Sequence, residues 1–175
     1  MKFTKMHGLG NDYLYVYGEV PGNAAELSKK LSERHLGAGS DGMIYISTSN
    51  IADFKMRIFN ADGSEAKMCG NGIRCVGKYV YDKGYTDKKF LSIETLSGVK
   101  YLTLQIVGGK VKTITVDMGQ AEAEKAMNLT VDGETVSLIP VSVGNPHAVI
   151  FVDDIETAPL TTLGSKIEHH PDFPD

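Results

Sequence analysis

Phe54-Lys-Met-Arg-Ile-Phe59 runs into Asn60-Ala-Asp-Gly63 and then into Ser64-Glu-Ala-Lys-Met-Cys69-Gly-Asn-Gly-Ile-Arg-Cys75-Val-Gly-Lys-Tyr-Val80. The first six residues alternate apolar with charged, the period of a half-buried strand. Asn60-Ala-Asp-Gly63 is a strong turn signal. Ile73, Val76, Gly77 and Val80 then recur at helical spacing, which predicts a helix over 71–83, closed by Gly84. Strand, turn and helix within one short segment point to an α+β chain.

The neighbouring segments extend the pattern. Upstream, strands are expected at 3–6 and 13–17 around the turn His7-Gly-Leu-Gly-Asn-Asp12. A helix is expected over 24–36, with Leu27, Leu31 and Ala24 on its inner face and Gly37 as its stop. A short apolar strand follows at 43–46. Downstream, strands are expected at 90–96, 99–107 and 111–117, the last two joined at Gly108-Gly109. The charged, alanine-rich stretch 119–126 breaks this rhythm and marks a domain boundary, giving units 1–118 and 119–175. Strands resume at 135–143 and 148–152, a helix is expected over 160–169, and the end from His170 to Asp175 reads as a loop.

The net charge of −4 gives no general basic surface and argues against nucleic acid as a partner. The two lysines near the N-terminus have no apolar stretch behind them, and no run is long enough to span a bilayer. A cytoplasmic protein without membrane partners is the expectation. The only cysteines, Cys69 and Cys75, are six residues apart and would face different sides of a helix, so no disulfide is expected. No CxxC or HxxxH spacing supplies metal ligands.

The second segment echoes the first. Gly10-Asn11-Asp-Tyr-Leu-Tyr-Val-Tyr17 aligns with Gly144-Asn145-Pro-His-Ala-Val-Ile-Phe151 at an offset of 134. In each, a Gly-Asn turn leads into an apolar strand and a helix follows. With a two-residue slip, Leu27 and Leu31 fall on Leu163 and Ile167. A counterpart of Cys69, some 58 residues after its Gly-Asn turn, would lie beyond Asp175.

Cys69 stands just before the first turn of the predicted helix. There the N–H groups of Gly70, Asn71 and Gly72 would be free, together with the positive end of the helix dipole. That is an anion site, and helix N-termini favour the thiolate form of a cysteine. One motif therefore offers a carboxylate cradle and an acid/base group. Cys75 lies inside the helix near its apolar face and reads as packing.

This segment resembles diaminopimelate epimerase, and so do Lys5-Met-His-Gly-Leu-Gly-Asn-Asp12, Phe59-Asn-Ala-Asp-Gly-Ser-Glu65 and Val143-Gly-Asn-Pro-His-Ala148. Their order and spacing also fit, so the resemblance covers the chain from end to end. It implies an α+β fold of two pseudo-symmetric lobes of mixed sheet packed around helices, with the second lobe incomplete here and the site between lobes. It also implies conversion of LL- to meso-diaminopimelate without pyridoxal or any other cofactor, in lysine and peptidoglycan precursor biosynthesis, by a homodimer. One thiolate would remove the α-proton while a second thiol delivers another to the opposite face.

Carried over by position, the resemblance makes Cys69 one catalytic thiol. Gly70 and Asn71 bind substrate through the helix start, Asn11, Asn60 and Asn145 hydrogen-bond it, and His147 tunes the thiols. Relatives often carry glutamine where Gly42 stands, so no side-chain contact is expected there. Cys75 is not the second thiol, and these residues alone should not catalyse epimerisation. Three other readings compete: a same-fold racemase or isomerase with another amino-acid substrate, a non-catalytic amino-acid-binding module, and a nucleotide-phosphate loop. The last is weak, because His7-Gly-Leu-Gly10 precedes a strand and not a helix.

Overall fold

The computed structural model describes residues 1–173; Pro174 and Asp175, which end the expected terminal loop, lie outside the described residues. The chain divides into two compact units, Met1–Gly119 and Gln120–Asp175.

In the first unit the strands are β1 (Thr4–Gly8), β2 (Asn11–Tyr17), β3 (Gly42–Ser47), β4 (Phe54–Asn60), β5 (Glu65–Ala66), β6 (Phe90–Thr95), β7 (Gly98–Val107) and β8 (Lys110–Asp117). They form one mixed sheet in the order β1-β2-β3-β4-β6-β7-β8, with β5 paired to β4. Only β2/β3 and β4/β6 are parallel. Parallel neighbours need a crossover, and the two helices supply it: α1 (Ala24–Ser32) between β2 and β3, α2 (Gly70–Asp82) between β4 and β6. The two pairs run in opposite directions but step the same way across the sheet. Right-handed crossovers then put the helices on opposite faces.

The apolar residues divide accordingly. Tyr13, Tyr15, Ile44, Ile46, Met56 and Ile58 face the side of α2, where Ile73, Val76 and Val80 are fully buried. Leu14, Met43, Tyr45 and Phe59 face the side of α1. Strand β3 is covered on both faces, and all six of its residues are buried. Helix α2 touches both edge strands, β1 and β8, so the sheet curls around it as a half-barrel.

Helix α1 stops at Ser32, short of the expected Leu36. Glu33 turns extended, and its carboxylate accepts the N–H groups of His35 and Leu36. The N–H groups of Ala38 and Gly39 return to the carbonyl of Leu31. The most buried face of α1 is Ala24, Ser28 and Ser32, with Leu27 and Leu31 only partly covered.

The second unit holds β9 (Glu122–Ala123), β10 (Met127–Val131), β11 (Glu134–Ser142) and β12 (Pro146–Val149), all antiparallel, with β11 central. Strand β10 was not expected. Its Met127, Leu129 and Val131 alternate inward, and Asp132 (φ 52°) with Gly133 (φ 85°) makes the two-residue turn into β11. The charged stretch contributes β9 to the same sheet. The expected helix over 160–169 is a π-helical turn, Leu160–Gly164, followed by a short α3 (Ser165–Glu168). Leu163 and Ile167 pack on Leu129, Val131 and Leu138. His170 has its Nε2 3.2 Å from the carbonyl of Thr130. Among the described residues no helix is long and apolar enough to cross a membrane.

Both Gly-Asn turns sit between antiparallel strands, β1/β2 and β11/β12. The glycines have left-handed φ values, 87° at Gly10 and 99° at Gly144, which spare the turn the cost a side chain would bring. Each unit therefore sets a Gly-Asn turn between antiparallel strands.

Candidate functional site

Cys69 occupies the N-cap of α2 in extended conformation (φ −143°, ψ 107°). Its Sγ accepts the N–H of Gly72 at 3.2 Å, doing for the helix what a serine or aspartate oxygen commonly does. Three free N–H groups were expected here; the one on Gly72 is engaged by the thiol. Those of Gly70 and Asn71 have no partner among the described residues. The Asn71 side chain accepts from Arg74 one turn on, so Asn71 offers its backbone to a ligand.

Gly72 permits this approach: a Cβ there would stand 2.6 Å from Ile44 Cδ1 and 3.3 Å from Cys69 Sγ. Cys69 is half-buried and Cys75 buried, and both are free thiols. Burial pushes the Cys75 thiol up, the chief of several influences on it.

Strand β2 starts beside the thiol. The Cys69 Sγ–H donates to Asn11 Oδ1 at 3.3 Å, and Asn11 Nδ2 donates to Asp41 Oδ2 at 3.0 Å. The same Asp41 oxygen accepts the N–H of Asp12 at 2.9 Å. Arg34 Nη2 bridges Asp12 Oδ1 at 3.0 Å and Asp41 Oδ1 at 2.8 Å, and Lys5 Nζ reaches Asp12 Oδ2 at 3.0 Å. The Arg34 hydrogen bond above all, with help from Lys5, holds the Asp12 carboxyl down at about 2.

Tyr13, the next inward-facing residue of β2, donates its hydroxyl to Asn60 Oδ1 at 3.3 Å. Burial, and then charge on Cys69, push that hydroxyl up to about 12, so it remains a donor at neutral pH. Asn60 ends β4; its Nδ2 donates to Ser64 Oγ at 3.0 Å, and its carbonyl accepts from Ser28 Oγ at 2.9 Å. Gly42 packs so closely that a Cβ would lie 2.2 Å from the Phe59 carbonyl oxygen. No side chain fits there.

Cys69, Gly70, Asn71, Asn11 and Asn60 thus share one locality in the first unit. Asn145 and His147 belong to the second. The Asn145 carbonyl accepts from Val143 N–H at 3.3 Å just before β12, and His147 lies exposed on β12 opposite Val141. The sequence reading missed Tyr13, Asp41 and Arg34. Of these, Asp41 carried a signal, an aspartate directly before a glycine in a Gly-rich turn. Among the described residues no cluster of His, Cys, Asp and Glu could hold a metal.

The family model described as Diaminopimelate epimerase matches residues 3–124. The diaminopimelate epimerase of Acetivibrio thermocellus is 50% identical over 99% of this chain and 68% of its own length. Those of Methanococcus maripaludis, at 49% over 99% of this chain, and Phocaeicola vulgatus, at 48% over 100% of this chain, likewise match across 68% of their own lengths. Among solved structures, a hydroxyproline epimerase from Agrobacterium vitis is similar, with a TM-score of 0.65 at 15% identity over 93% of this chain and 52% of that one. A Bacillus anthracis protein of the PhzF family gives a TM-score of 0.65 at 18% identity over 89% of this chain and 58% of that one. These two likenesses concern the fold.

Proposed function

Because the chain belongs to the diaminopimelate epimerase family, we propose that the full-length protein converts LL- to meso-diaminopimelate by moving a proton at the α-carbon. Cys69 supplies one of the two thiols. As thiolate it takes the α-proton, and the electron pair left on carbon delocalises into the α-carboxylate. A second thiol gives its proton to the opposite face and is left as thiolate. The product is inverted, and the reverse reaction exchanges the roles.

The observation that carries this reading is a thiol at the N-cap of α2 beside two amides, those of Gly70 and Asn71, that have no partner among the described residues. An α-carboxylate bound by those amides meets the helix dipole as charge develops on it. Asn11 and Asn60 add neutral polar groups for the amino-acid head, and Asn145 and His147 carry the substrate-binding and thiol-tuning roles that the resemblance implies. Cys75, buried on the inner face of α2, is not the second thiol, and these 175 residues carry no other cysteine. We therefore propose that they do not turn over substrate by themselves. A cytoplasmic homodimer in lysine and peptidoglycan precursor biosynthesis completes the proposal.

The test is exchange of the α-proton with solvent deuterium by the full-length protein on several amino acids. Exchange on diaminopimelate supports the reading. Exchange on proline derivatives alone would transfer it to a same-fold racemase, and binding without exchange would make it a binding module.

A further inference from the structure

We propose that Asp41 is a positioning residue that sets the orientation of the Asn11 amide, so that Asn11 presents its oxygen, and not its nitrogen, to the Cys69 thiol. The inference rests on the proposed role of Cys69 but reaches a different residue.

An amide side chain can be turned over with little change in shape, exchanging a donor for an acceptor. An ionised carboxylate allows no such freedom, because it only accepts. Asp41 Oδ2 stands 3.0 Å from Asn11 Nδ2, where a flipped amide would set two oxygens against each other. The carboxylate is itself fixed. Its Oδ2 takes the Asp12 N–H and its Oδ1 the Arg34 guanidinium, while its backbone N–H donates to the Asp12 carbonyl at 2.7 Å. The parallel register of β2 on β3, with Tyr13 opposite Gly42, brings the two segments together.

Asn11 Oδ1 is left facing the sulfur at 3.3 Å. Held there, it accepts the S–H of the thiol and opposes the thiolate, against the N–H that Gly72 donates. It also gives the site an acceptor for a donor group on a ligand. An ammonium N–H that replaced the thiol on Oδ1 would free the S–H, tying the state of the sulfur to occupancy of the site. The other titratable groups facing Cys69 are Tyr13 and Tyr15 on β2 and Cys75 on α2; none of them contacts Asp41 through a hydrogen bond.

The test uses the alkylation rate of Cys69 by iodoacetamide in the full-length protein, measured across pH. Asp41→Asn lets the amide turn and offer Nδ2 to the sulfur. The expected result is alkylation faster by one net hydrogen bond, about three- to tenfold near neutrality. In an Asn11→Ala background the same substitution should change the rate by less than about twofold, because the amide it acts through is gone. Equal acceleration in both backgrounds would show that only the charge of Asp41 matters, and no acceleration would show that Asp41 does not hold the amide. Either overturns the inference.

Should Asp41→Asn fail to fold, the S–H stretching band of Cys69 in a Cys75→Ala protein decides. It should lie lower than in the same protein with Asn11→Ala; equal bands overturn the inference. These readouts need no substrate, so a protein without α-proton exchange would sink the proposed function and leave this result standing.

Discussion

The Sγ of Cys69 lies 3.3 Å from Oδ1 of Asn11, a residue 58 positions earlier in the chain. One terminus of α2 and the first residue of β2 thus meet at a sulfur, and the sheet that joins them is the same one that buries α2. Fold and candidate chemistry are coupled at this point.

Gly42→Gln should destabilise the protein rather than add a side-chain contact at this position. A Cβ there would meet the Phe59 carbonyl at 2.2 Å and Asn60 Cα at 2.9 Å, both backbone. Destabilisation of about 3 kcal/mol or more is expected, from overpacking of rigid atoms. Urea unfolding of the substituted protein measures it; a loss within about 0.5 kcal/mol would mean that β3 and β4 can separate.

Tyr13→Phe removes a buried hydroxyl that donates to Asn60. The aromatic packing stays, so stability should fall by about 1 kcal/mol. Asn60 keeps Ser64 on its nitrogen, and substrate affinity should weaken while the thiol chemistry persists. A rise in KM with kcat nearly unchanged is the expected split; a collapse of kcat instead would place the hydroxyl in the proton transfer itself.

The segment around Cys69 was legible in the sequence because everything it needs is local: a turn, a glycine-rich step and helical spacing within a few residues. Asp41 carried only its Asp-Gly signal, and the parallel pairing of β2 with β3 is what brings it beside Asn11. Arg34 gave no signal, and Tyr13 reads as an apolar strand residue until β4 sets Asn60 against its hydroxyl. The early end of α1 was hidden for a related reason, as Glu33 ends the helix through its own side chain while the apolar spacing continues. Strand β10 was legible and overlooked: Asp132-Gly133 flanked by alternating residues is a strong short-range hairpin signal.

Asp12 should contribute to the loss of stability in acid. Its folded carboxyl is held at about 2, below the ordinary 3.8, mainly by Arg34. A lowered folded value contributes stability that is present above the unfolded value and is lost as pH falls through the folded one. Stability should therefore decline between about pH 4 and pH 2, and Asp12→Asn should flatten that part of the profile. Thermal melts across this range check it; an unchanged slope in the variant would relocate the acid sensitivity to other carboxylates.

The two thiols should differ in reactivity. Cys69 is half-buried at a helix start, whereas Cys75 is 7% exposed and its thiol is pushed up by burial. Limited alkylation at neutral pH, followed by peptide mapping, should label Cys69 well before Cys75. Equal or reversed labelling would argue against an activated thiol at position 69.

The central claim is that Cys69 moves the α-proton. Its most direct test is solvent deuterium incorporation at the α-carbon of LL-diaminopimelate by the full-length protein and its Cys69→Ala variant. The account predicts exchange in the parent protein and a loss of about a thousandfold or more in the variant, as expected when an acid/base group of a coupled pair is removed. Exchange persisting in the variant near the parent rate would contradict it.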